Sequence, residues 1–111
     1  MIYLKAKNAG DTVDYQVDFV DLIPPEFNLD SATVEITKAG NTESPIELLV
    51  EDTAIVVDES PAERATAVLF WLVGGTVDVN YELRITASDS QSVVPDRVYT
   101  RYARIQVRDD L

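Results

Sequence analysis

The chain has no cysteine and no histidine among its 111 residues. Without cysteine there are no disulfide staples and no thiol nucleophile, so stability must come from packing. Without either residue, Ser–His and Cys–His relays and zinc sites built on Cys or His are excluded. Basic residues are scarce: nine Lys and Arg stand against 20 Asp and Glu, a formal net charge of −11. That balance argues against nucleic acid, which draws on a dense array of Lys and Arg. It fits solubility, or an interface with a basic partner. No run approaches the roughly 18 apolar residues that would cross a membrane. The opening "MIYLKAKNAGD" lacks the basic region and the apolar stretch of about 7–15 residues of a secretion signal. The expectation is therefore a product made in the cytoplasm, with no membrane partner.

What is present alternates. An apolar fraction of 46% predicts a real core, and its period is 2. In "TVDYQVDFV" (12–20) Val13, Tyr15, Val17 and Phe19 face one way, with Thr12, Asp14, Gln16 and Asp18 opposite. "ATVEITK" (32–38), "YELRITA" (81–87) and the run Ala103, Ile105, Val107 repeat the pattern. "IELLV" (46–50) and "TAIVV" (53–57) read as two short strands. "TAVLFWLV" (66–73) is apolar on both faces, as in a central strand covered on two sides, with Trp71 in the core. "SPAERA" (60–65) is the one candidate helical turn, and "SDSQSVVPD" (88–96) a candidate disordered tip. Turn-rich clusters separate these runs. About seven short strands in one domain predict an all-β, antiparallel β-sandwich of immunoglobulin or fibronectin-III type. Residues 1–9 would be an edge strand or a docking arm, and 10–111 the single domain.

The stretch "LVGGTVDVNYELRIT" (72–86) raises the question of chemistry. Two glycines could cradle a phosphate, but no helix N-terminus and no lysine follow them. The better reading is a corner between sheets. Gly74 and Gly75 turn with positive φ, and Tyr81 places its ring in the core and its hydroxyl on corner backbone.

The same residues carry a resemblance. "GDTVDYQVDFVDLI" (10–23), "VLFWLVGGTVDVNYELRITASDS" (68–90) and "RYARIQVRDD" (101–110) resemble the small Ig-like tail proteins of bacteriophages of the fiber-tail adaptor type. The resemblance implies a non-enzymatic virion protein of the tail that docks a fibre or tailspike. Its partners would be other tail proteins (portal adaptor, tail tube or nozzle, fibre or tailspike) and copies of itself arranged in a ring. Other functions on such a scaffold are capsid decoration, a head–tail protein, or a carbohydrate-binding module using Tyr3, Tyr99 or Tyr102.

The charged groups were weighed one by one. Asp14 and Asp18 lie four apart on one strand face, about 13 Å at ~3.3 Å per residue. That is wider than a glycosidase pair at roughly 5–9.5 Å. Glu51, Asp52, Asp58 and Glu59 offer oxygen ligands without the spacing of a calcium loop. No catalytic residue, cofactor or metal is expected. Residues 1–80 hold 15 acids and 4 bases, whereas 81–111 hold 5 of each. Arg97, Arg101, Arg104 and Arg108, near Arg84, therefore form a basic closing strand. Arg97 and Arg101 share one parity, Arg104 and Arg108 the other, which predicts a switch of face near 102–103 at a β-bulge. These four arginines, with Tyr3 and Lys5, are the candidate partner interface: a basic edge of one copy against the acidic body of the next.

Overall fold

The computed structural model describes residues 1–23, 28–38, 47–58, 64–89 and 97–109. Eight strands follow in chain order: β1 (Ile2–Tyr3), β2 (Lys7–Asn8), β3 (Thr12–Asp18), β4 (Leu29–Lys38), β5 (Leu48–Asp58), β6 (Arg64–Gly74), β7 (Asn80–Asp89) and β8 (Arg97–Arg108). They form two sheets. One runs β1–β8–β7–β4, with β2 also on β8; the other runs β3–β6–β5. The protein is an all-β two-sheet sandwich.

The alternation read from the sequence sets the inner faces. Tyr15 and Val17 from β3, with Phe19 just beyond it, meet Val68, Phe70 and Leu72 from β6. Tyr81, Leu83, Ile85 and Ala87 from β7 and Ala103, Ile105 and Val107 from β8 complete the same cluster. Burying such side chains drives the two sheets together. The rings of Tyr15 and Phe70 stack at 6.1 Å within it.

Several expectations change. The two short strands at 46–50 and 53–57 are one strand, β5, whose pairing with β6 slips between Val50 and Asp52. A bulge at Glu51 absorbs the extra residue, so polar "ED" interrupts the apolar pattern without ending the strand. β6 is central in its sheet but is not covered on two sides. Val68, Phe70 and Leu72 are fully buried, whereas Leu69, Trp71 and Val73 are only half-buried. Trp71 is absent from the core cluster and lies on the outward face. A strand apolar on both faces gives no parity signal, and hydrogen bonding to β3 and β5 fixes which face turns in. The N-terminal segment adds an edge that is parallel, not antiparallel: Ile2 pairs with Ala103 and Lys7 with Val107. The candidate disordered tip lies outside the described residues from 90 onward. So does the candidate helical turn, except that Arg64 and Ala65 open β6.

The corner between β6 and β7 forms as read. Gly74 and Gly75 have φ of 85° and 109°. The Tyr81 ring is fully buried, and its hydroxyl oxygen accepts the Thr76 N–H at 2.9 Å. The hydroxyl donates to Glu47 Oε1 at 3.2 Å. A Cβ on Gly74 would sit 2.2 Å from the Glu47 carbonyl oxygen, which is the acceptor for Gly75 N–H.

Candidate docking surfaces

The N-terminal segment is tied to its own chain at five points. Leu4 N–H donates to the Arg104 carbonyl at 2.9 Å and Ala9 N–H to the Arg108 carbonyl at 3.0 Å. Tyr15 OH donates to the Lys5 carbonyl at 2.9 Å. Lys7 Nζ donates to the carbonyls of Gly74 and Asn8, both at 2.7 Å. Lys7 is 1% exposed, and burial pushes its ammonium below the usual lysine range, against the pull of nearby Asp11. Burial, reinforced by Asp14, pushes the Tyr15 phenol up to about 12. Glu47 is held below the usual carboxylate range by its own backbone N–H first, then by Lys38, whose Nζ stands 3.1 Å from Oε1. Nothing in the sequence singled out Lys7 or Glu47. Their roles come from the approach of the N-terminus and of β5 to the corner.

β8 keeps one face throughout. It pairs with β7 residue for residue, from Gln106 opposite Asn80 to Arg97 opposite Asp89, with no register shift. The expected switch near 102–103 and its β-bulge do not occur. Arg101 stays on the inward parity because its stem crosses the core edge and its guanidinium lies 5.8 Å from the Phe19 ring centroid. Arg97 shares that parity and is exposed at the strand end, next to buried Asp89. Arg104 and Arg108 point outward. The four arginines therefore divide between two faces.

Directly opposed residues in a sheet share a face, so register gives the outward rows. One row is Tyr3, Arg104, Glu82, Thr37; the next is Tyr102, Arg84, Glu35. Arg104 pairs with Glu82 and Arg84 with Glu35, each at 2.5 Å. Tyr3 and Tyr102 are 75% and 53% exposed, and Lys5 is exposed beside them. Tyr99 is half-buried against the core and donates to Asp89 Oδ2 at 3.3 Å, so it is not a stacking platform.

The outward face of the other sheet is different. Trp71 stands between Asp14 on β3 and Asp52 on β5, and Leu69 between Gln16 and Ala54. Val73 has Thr12 and Leu49 at its sides, Leu49 being 53% exposed. Asp14 and Asp18, expected on one solvated face, are exposed here as read. Among the described residues, no group of three acidic side chains is placed to hold a metal ion. No helix is long and apolar enough to cross a membrane.

Two flat, exposed sheet faces of opposite character on a rigid sandwich define a protein-interaction module. The family comparison gives it a place. The chain belongs to the family described as podophage GP4 fiber-tail adaptor protein gp77, whose model matches residues 7–105. No curated protein matches the chain. The family makes this a structural component of the phage tail.

Proposed function

We propose that the protein docks a fibre or tailspike onto the tail through protein–protein contacts, working as several copies arranged with the tail's symmetry and turning over no substrate. The contact set centres on Tyr3, Lys5, Arg104 and Arg108, with Tyr102 added from the same face. Arg97 contributes at the strand end, and Arg101 supports the surface from the core side. The observation that carries this reading is the pair of exposed tyrosines flanking paired charges on one flat face. Aromatic anchors with a polar surround are the usual centre of a protein interface. The protein is made in the host cytoplasm and ends in the virion tail.

The test is light scattering of the purified chain mixed with each of the phage's tail proteins in turn. The expected result is co-assembly with a fibre or portal-adaptor protein, lost on Tyr102→Glu. A chain that ignores every tail protein overturns the docking role.

A further inference from the structure

The two outward faces complement each other. The β3–β6–β5 face carries an apolar stripe, Leu69, Trp71 and Val73, with Leu49 beside it. Asp14, Asp18 and Asp52 surround that stripe, and no described side chain of the face is basic. The β1–β8–β7 face carries exposed Tyr3 and Tyr102 and three arginines, Arg84, Arg104 and Arg108, against two glutamates, Glu35 and Glu82. The two faces belong to opposite sheets of one sandwich, so they cannot meet within a chain. They can meet between chains.

We propose that the Trp71 face is the acceptor for a second copy of this chain, which presents its Tyr102–Arg84 row to it. This rests on the reading that the protein works as several copies, and it names the contact. Trp71 supplies the anchor: a large ring, half-covered, at the centre of the stripe. Asp14 and Asp52 flank it in one row, so an arginine or lysine arriving over the ring meets a π-face and two carboxylates together. A patch that recognises a different patch on the same molecule makes a heterologous contact. Such contacts close into rings or run on as filaments.

The size of the face sets the strength. β3 and β6 pair over seven residues. Three strands at ~4.8 Å and seven residues at ~3.3 Å give roughly 330 Å² of flat area, before side-chain relief. That is below the ~800 Å² per partner of a standard interface. Association of free copies is therefore weak, and the tail makes it durable by holding many copies at once.

Sedimentation velocity of the purified chain alone, up to about 1 mM, tests this. The wild type is expected to grow in mass with concentration. Trp71→Glu and Tyr102→Glu should each remain monomeric with a melting temperature close to wild type, because both side chains face outward. Asp14→Lys should weaken association at least about tenfold. A 1:1 mixture of Trp71→Glu and Tyr102→Glu should give a dimer and nothing larger, since only one good acceptor meets one good donor. A wild type that is monomeric throughout overturns the proposal. So does a mixture that stays monomeric while the wild type associates, or a Trp71→Glu chain that still self-associates like the wild type. None of these readouts requires a fibre or portal protein, so failure here is separate from failure to dock one.

Discussion

Removing one oxygen from Tyr81 measures what the β6–β7 corner contributes. Tyr81→Phe keeps the ring, so no cavity opens in the core. It deletes the acceptor for Thr76 N–H at 2.9 Å and the donor to Glu47 at 3.2 Å. A buried group left wholly unpaired would cost about 1–3 kcal/mol. Here the cost is moderated: Thr76 is exposed, so water reaches its amide, and Glu47 keeps Lys38. The expected loss is about 1–2 kcal/mol, or roughly 4–10 °C in melting temperature for a domain of this size. Thermal unfolding followed by far-ultraviolet circular dichroism reads it directly. Tyr15→Phe is the internal control, because it frees only the carbonyl of exposed Lys5, and its loss should stay under about 1 kcal/mol. If Tyr81→Phe melts within about 1 °C of wild type, or no lower than Tyr15→Phe, the corner is held by packing and the hydrogen-bond argument is wrong.

Gly74→Ala should be costlier than either, on the order of 2–4 kcal/mol, since it combines positive φ with a Cβ driven into the Glu47 carbonyl; a variant unfolding at the wild-type denaturant midpoint would refute the close approach. At alkaline pH the raised Tyr15 phenol gives stability that is present below pH 10 and lost as pH rises towards 12, about 2–3 kcal/mol in full. The lowered Lys7 works in the opposite sense, adding stability as pH rises towards its unfolded value of 10.5. Urea midpoints from pH 9 to 12 (approximate range) should therefore fall in wild type and fall less in Tyr15→Phe; equal slopes would assign the loss elsewhere. On the acid side, the lowered Glu47 gives stability that is present above pH 4.5 and lost as pH falls through its folded value. Glu47→Gln should flatten that limb, and an unchanged acid midpoint would remove Glu47 from the account.

The inner faces were legible because an outward polar residue marks every second position. Asp14, Gln16 and Asp18 settle the parity of Tyr15 and Val17. Where that mark is missing, the sequence misled. β6 has no polar residue from Ala67 to Val73, and Trp71 was placed in the core when it faces out. The corner was legible because its geometry is local: two glycines, then a tyrosine six residues on. The rows that make the two surfaces are not local. Trp71 meets Asp14 and Asp52 only through the register of three strands. Lys7 reaches Gly74 across 67 positions of chain. Arg101 gave a false sign of a bulge, because a long side chain can leave the core while its backbone keeps its parity.

The register also changes how the arginines act in docking. Arg104 and Arg84 already have carboxylate partners on the neighbouring strands. An acid arriving from a partner must compete with Glu82 and Glu35, and an exposed ion pair contributes only about 0–1 kcal/mol. Exchanging one such pair for another leaves little net affinity. The weight then falls on Tyr3 and Tyr102, and the arginines govern approach and orientation. High salt should therefore slow association more than it weakens the final complex, whereas Tyr102→Glu should weaken the complex itself. Arg101→Glu is a poor probe of the same contact: it would set a carboxylate against the Phe19 ring and damage the support beneath the surface. Association kinetics against ionic strength separate the cases. If raising salt speeds dissociation more than it slows association, the charges carry the affinity and the tyrosines do not.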